Sequence, residues 1–175
     1  MKTMNKILSI FKSIFRNNKD GIEIKYGAKV FSHACVKATR GGSINMGKVL
    51  VNDNAFVCAS GGKIVVDDNV TINRNVVIVA KNSIIIGSGS SIGPNTCIYD
   101  HNHKIDKDGF YKDEFSSTPV TIGRNVWIAA NCTILKGTTI GDNSIIGAGC
   151  VVSVDVPCNT MVKSDRNLQF IPLHD

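Results

Sequence analysis

Isoleucine or valine recurs every sixth residue at Ile122, Ile128, Ile134, Ile140, Ile146 and Val152. A helix repeats at about 3.6 residues and a strand at two, so a period of six belongs to neither. It suits short strands joined by corners and stacked into a solenoid, in which no coil buries its apolar face without a neighbour. The residue four places after each rung is small or β-branched: Val126, Cys132, Thr138, Ser144 and Cys150. Each hexad therefore sends one large aliphatic side chain inward and keeps a smaller one for the space beside a corner. Upstream the repeat lengthens to twenty, through Ile24, Ile44, Ile64 and Ile84, with Tyr26, Met46, Val66 and Ile86 two places on. Gly27, Gly47 and Gly87 follow the second series, with Asp67 in the remaining slot. Twenty is three hexads plus two corner residues. The corners read Arg40-Gly41-Gly42-Ser43, Ser60-Gly61-Gly62-Lys63 and Lys81-Asn82-Ser83, where Gly and Asn tolerate positive φ.

Composition agrees with a narrow core. The 175 residues amount to one domain, and 43% are hydrophobic but only 6% aromatic. Stacked Ile and Val fill a thin prism, whereas a thick two-layer sandwich needs more aromatic bulk. No apolar run is long enough to span a bilayer.

The net charge of +6 is unevenly placed. Residues 1–19 hold Lys2, Lys6, Lys12, Arg16 and Lys19 and no acid, so the rest is nearly neutral. That balance argues against nucleic acid as a partner. The six cysteines form no CxxC pair and no ligand-like pairing with histidine. Cys132 and Cys150, at the small position of their hexads, read as packing residues in a reducing cytoplasm.

Met4, Ile7, Leu8, Phe11, Ile14 and Phe15 lie on one face of an expected amphipathic helix over 1–20. Lys12 interrupts the apolar stretch and no small-residue cleavage site follows, so it is not a signal peptide. Two roles suit the helix. It caps the open end of the solenoid, or it lies peripherally on an anionic inner membrane face. The expected solenoid then runs over 21–162, with a tail at 163–175.

The ladder breaks once. Val120-Thr121-Ile122-Gly123 resumes the pattern of Ile84-Ile85-Ile86-Gly87, but 36 residues rather than 20 separate Ile86 from Ile122. A loop is therefore extruded at about 99–119, and long loops inside compact repeats are usually functional. It opens with Tyr99-Asp100-His101-Asn102-His103, holding two of the four histidines. Histidine suits general-base work near neutral pH, and Asp100 can orient a ring or stabilise its cation.

Taken together, Pro94-Asn95, the loop histidines, Asn125-Val126-Trp127-Ile128 and Ile140-Gly141-Asp142-Asn143-Ser144 resemble the hexapeptide-repeat acyltransferases. Within them the chain looks like the galactoside, maltose and polysaccharide O-acetyltransferases. The resemblance implies an all-β, left-handed parallel β-helix that forms a homotrimer with active sites between neighbouring prisms. It also implies acetyl-CoA as co-substrate and a sugar or glycan precursor as acceptor. The family's base lies eight residues after Pro-Asn, which puts it at His103, with His101 as competitor and Asp100 as the orienting group. Asn73, in Ile72-Asn73-Arg74-Asn75, matches an acceptor-binding asparagine, and Tyr99 joins it at the mouth of the loop. Trp127 matches a tryptophan bordering the cofactor, and Ala130 and Ala148 match positions lining the pantetheine groove.

Three departures stand out. Ala129 replaces a glycine near the thioester, Ser153-Val154-Asp155 replaces Thr-Lys-Asp, and Val162-Lys163-Ser164-Asp165-Arg166-Asn167 replaces Gly-x-Pro-Ala. Cofactor contacts then fall to Ser153, Lys163 and Arg166.

The expected reaction is direct O-acetylation by a cytoplasmic enzyme, with no cysteine beside the loop histidines to carry an acyl group. N-acetylation of an amino sugar is the rival within acyl transfer. A zinc site of carbonic anhydrase type needs a third ligand, and His33 and His174 are poorly placed to supply it, so no metal is expected. A non-catalytic binding solenoid is the remaining alternative.

Overall fold

A computed structural model of the protein describes residues 21–107 and 109–164. The expected N-terminal helix and Arg166 lie outside these residues. Short strands from Ile22 to Val162 stack into three parallel sheets, the faces of a six-turn prism. The first face begins with Ile22–Ile24 and ends with Thr139–Ile140. The second runs from Lys29–Val30 to Met161–Val162, and the third from Cys35–Thr39 to Val151–Val152. Every strand pair between coils is parallel.

The rungs are buried as the hexad pattern requires. Ile64, Ile72, Ile78, Ile84, Ile92, Ile98, Ile128, Ile134, Ile140 and Ile146 are all 0% exposed. Each loses its whole apolar surface to the rungs above and below, about 1.5–3 kcal/mol per side chain. The small second position is buried throughout as well, from Val126 to Cys150. Where it is polar it bridges coils. Ser90 Oγ donates to Gly123 O (2.8 Å) and accepts from Val126 N (3.0 Å). Thr96 Oγ1 donates to Ala129 O (3.1 Å), and Ser144 Oγ donates to Pro157 O (2.8 Å). These hydroxyls satisfy backbone groups that the strand ladder leaves over at corners.

Register corrects the upstream repeat. Ile22, not Ile24, pairs with Ile44, and Ile24 pairs with Met46. Tyr26 is therefore no rung and is 83% exposed. The first coil is 22 residues long, because its last corner, from Val36 to Met46, is the longest of the ordinary corners. The two twenty-residue coils also differ inside. Met46 to Val51 is one residue shorter than Val66 to Ile72, and the deficit is recovered where that coil passes from the third face back to the first.

The corners use left-handed backbone. Asn54, Asn69, Asn75, Asn95, Asn125, Asn131, Asn143 and Asn159 all have φ between 53° and 61°. Asparagine tolerates that region better than other residues with a Cβ. Several of these amides also stack into ladders, with Asn75 Nδ2 donating to Asn95 Oδ1 at 3.0 Å.

The extruded segment is an antiparallel hairpin, His101–Asp106 against Gly109–Ser117. It leaves the prism between the third and first faces. Its register slips between His103 and Lys104, which pair with Phe115 and Tyr111, so residues 112–114 bulge outward beside His103.

Candidate active site

Asp100 stands where the chain leaves the prism. It is 0% exposed, and its carboxylate accepts three donors. Lys81 N reaches Oδ1 at 2.9 Å, Asn82 N reaches Oδ2 at 2.7 Å, and His101 Nδ1 lies 2.9 Å from Oδ1. A carboxylate oxygen that accepts fixes the His101 proton on Nδ1. The His101 side chain is 12% exposed. Its ring meets Tyr99 edge-on at 5.9 Å and Phe115 edge-on at 5.5 Å. Burial pushes the Tyr99 phenol above its ordinary value, and the neighbouring Cys97 adds to the shift.

His103 is arranged differently. It is exposed and lines an open cleft of about 730 Å³ together with Lys104, Glu114, Ser116 and Lys136. Its Nδ1 lies 3.3 Å from Tyr111 O. A carbonyl can only accept, so Nδ1 carries the hydrogen and Nε2 is the nitrogen that takes a proton. Phe115 packs on the ring at 4.7 Å. Tyr111 is held in turn by its hydroxyl, which donates to Asp106 Oδ2 at 2.7 Å and is pushed up in pKa by that bond. Across the cleft Lys136 Nζ donates to Ser116 Oγ at 2.7 Å.

The remaining candidates lie on another edge. Strand register stacks Asn73, Gly93, Ala129, Gly147 and Lys163 in one file between the second and third faces. Ala130, Ala148 and Ser164 form the adjacent file, with Ala148 exposed. Trp127, on the second face two residues before Ala129, is 54% exposed. This edge is tightly built: a Cβ on Gly93 comes within 2.6 Å of Ala129 O. Asn73 is committed to the ladder, Nδ2 donating to Ile92 O at 2.9 Å. Ser153 falls at the corner that bears the hairpin, apart from Lys163, and is exposed. One prism thus gathers the histidines on one edge and the candidate cofactor positions largely on another. Among the described residues no group of three or more His, Cys, Asp and Glu side chains is arranged to hold a metal ion. Also among them, no helix is long and apolar enough to cross a membrane.

Several contributors escape a reading of the sequence. Phe115 links the two histidine rings, and the Tyr111 carbonyl orients one of them; neither leaves a mark in a motif. Ser90 and Thr96 do leave one, since they fall four places after Ile86 and Ile92 in the same hexad pattern.

Comparison with known proteins bears on the family and the fold. Residues 119–153 match the family model described as bacterial transferase hexapeptide (six repeats). The chain is 33% identical over 135 residues to a putative lipopolysaccharide biosynthesis O-acetyl transferase of Escherichia coli, covering 69% of this chain and 67% of that protein. It therefore belongs to the hexapeptide-repeat acetyltransferase family. It is also 37% identical over 116 residues to the galactoside O-acetyltransferase of Escherichia coli, covering 63% of this chain and 57% of that protein. A putative acetyltransferase of Saccharomyces cerevisiae is 41% identical over 110 residues, covering 63% and 56% respectively. The chain thus spans a little over half the length of these two relatives. Among solved structures, a hexapeptide-repeat acetyltransferase from Vibrio cholerae complexed with acetyl-coenzyme A matches with a TM-score of 0.51 and 25% identity, over 90% of this chain and 79% of that one. An N-acyltransferase from Bacillus cereus shares the fold, with a TM-score of 0.67 and 13% identity over 92% of this chain and 83% of that one.

Proposed function

We propose that the protein transfers an acetyl group from acetyl-CoA to a hydroxyl of a sugar or glycan precursor, with His103 as general base. The observation that carries this is the placing of His103. It alone of the loop histidines is exposed in a cleft, and its Nδ1 is directed to a backbone carbonyl, which makes Nε2 the basic nitrogen. Nε2 takes the proton of the acceptor hydroxyl as its oxygen attacks the thioester carbonyl carbon. The tetrahedral intermediate collapses, the C–S bond breaks, and the proton passes to the leaving thiolate, giving an acetyl ester and free CoA thiol. The backbone N–H of Ala130 is the donor for the oxyanion.

The site is completed by a second copy of the chain. Within one prism the histidines and the file of Asn73, Ala129 and Lys163 lie on different edges. A homotrimer of left-handed prisms sets the hairpin of one protomer against the Trp127 face and Ala130–Ala148 edge of the next. Ala129, Ser153, Lys163 and Arg166 complete the cofactor side, and Asn73 with Tyr99 the acceptor side. Hydroxyl acetylation, rather than amine acetylation, is supported by the two relatives named as O-acetyl transferases.

The test is a panel of sugars and nucleotide sugars incubated with acetyl-CoA. Free thiol is followed, and the product is examined by mass and by its lability to alkali. An alkali-labile acetylated sugar supports the proposal; no acceptor-dependent thiol release from any sugar overturns it.

A further inference from the structure

We infer that Asp100 and His101 form a positioning pair that anchors the hairpin to the prism and thereby sets the orientation of His103. The chemical consequence rests on the acetyl-transfer reading above; the anchoring does not. Along the third face alternate amides donate to the backbone of the next coil, Phe56 N to Val76 O at 2.8 Å and Val77 N to Thr96 O at 2.9 Å. Lys81 is the next but one in the series that starts at Val77. After Asn82 the following coil departs into the hairpin, and the amides of Lys81 and Asn82 meet the Asp100 carboxylate instead. Asp100 is thus a side-chain substitute for a missing corner. Leaving the fully buried Asp100 carboxylate without partners is strongly unfavourable.

His101 extends the anchor outward. Its Nδ1–H holds Asp100, and its ring stands edge-on to Phe115, which packs on the His103 ring from the other strand. Lys81, whose amide Asp100 accepts, returns its ammonium over the same Phe115 ring at 3.5 Å. Thr118 N donates to Asp100 O at 2.8 Å and closes the base of the hairpin. A continuous set of contacts therefore runs from the corner of one coil through Asp100, His101 and Phe115 to His103. His101 is too enclosed, between Tyr99, Phe115 and Asp100, to meet an acceptor itself.

The experiment compares the full chain with His101→Leu, which keeps bulk and loses the donor, and His101→Asn, whose Nδ2 restores a donor near the same place. Amide hydrogen exchange is read across the whole chain, alongside kcat and KM for acetyl-CoA. In His101→Leu, exchange at 102–117 rises about tenfold or more while the rung amides at Ile98, Ile134 and Ile146 stay protected. In the same variant kcat falls on the order of 10–10²-fold with KM for acetyl-CoA unchanged, since misplacing a reacting group by about 1 Å has that scale of effect. His101→Asn recovers most of both. Should His101→Leu not fold, Phe115→Leu severs the same path and is expected to give the same local pattern.

Unchanged hairpin exchange overturns the proposal. So does a rise spread evenly over all coils, or a loss of kcat in His101→Asn as deep as in His101→Leu. If the exchange result holds but the wild-type protein transfers no acetyl group, the anchor stands and the enzymatic reading fails.

Discussion

Two corners of the prism behave in opposite ways. Between the second and third faces every coil takes six residues from rung to rung: Val30 to Val36, Val51 to Val57, Ile72 to Ile78, Ile92 to Ile98, Ile128 to Ile134 and Ile146 to Val152. Between the third and first faces the spacing changes at almost every coil, from Val36 to Met46 at the start to Val152 to Val156 at the end, with the hairpin between Ile98 and Ile122. The constant corner repeats one left-handed residue per coil, Asn54, Asn75, Asn95, Asn131 and Gly149, and the amides of the last four all donate to a carbonyl of the preceding coil. At the variable corner the shortest and the longest turns use side chains where the ladder lacks backbone. Asp155 Oδ1 accepts Thr139 N at 2.7 Å in the shortest turn, as Asp100 does for Lys81 and Asn82 at the longest. A corner whose extreme turns are completed by carboxylates can change length, so it can carry a functional insertion without disturbing the rungs.

The sharpest test of this contrast is insertion. One glycine added after Asn131, in the constant corner, shifts Ile134 to the opposite side of its strand and is expected to abolish cooperative unfolding. One glycine added after Gly41, where the space around the residue is open, lengthens a loop and costs no more than about 1 kcal/mol. Denaturant titration of the two variants measures both. Equal losses remove the distinction between the corners. The next largest effect is kinetic. His103→Ala is expected to lower kcat by about 10²–10⁴-fold and leave the unfolding midpoint unchanged, because the ring is exposed on the hairpin. Retained turnover there, with loss in every His101 variant, transfers the base to His101.

The same contrast explains what is legible in the sequence. The rungs and the small second position repeat, so Ile122 through Val152 and Val126 through Cys150 can be placed inward without coordinates, as can the site of the extrusion. The first coil reads two residues out of register, because Ile24 and Ile22 are both apolar and only the length of the corner after Val36 decides between them. Side-chain roles in the hairpin are not legible, since nothing in the hairpin repeats. The enclosure of His101 and the exposure of His103 depend on Phe115 and Tyr111, eight or more residues away across an irregular register. Asn73, Ala129 and Lys163 are widely separated in sequence and share a file only through parallel pairing.

A smaller effect is expected where a hydroxyl ties two coils together at the corner between the first and second faces. Ser90→Ala removes an acceptor for Val126 N and a donor to Gly123 O, both in the interior. Leaving such groups without partners costs about 1–3 kcal/mol, read as a lower denaturant midpoint. Ser90→Thr, which keeps the hydroxyl, separates the lost bonds from altered packing.

The smallest effect lies at the third corner, between the first and second faces, and it depends on pH. Asp142 accepts Arg124 N at 2.7 Å and the Arg124 guanidinium at 2.7 and 3.0 Å. The backbone N–H, and after it the guanidinium, hold the carboxyl below its ordinary value. Asp68 is lowered in the same way by the amide of Lys48 and the ammonium of Lys25. A depressed carboxylate stabilises the fold fully above its unfolded-state pKa, and that contribution fades as pH falls through the folded value. The gap in stability between the wild-type protein and Asp142→Asn should therefore be constant near neutrality and close in acid. It should also narrow in high salt, because Arg124 and Asp142 are partly solvent-exposed. Denaturation midpoints measured over a pH series give the comparison. Parallel curves for the two proteins, with no convergence in acid, show that the Asp142 charge contributes nothing and that its role is confined to the turn. The first-to-second-face corner would then resemble the constant one, held by geometry rather than by charge.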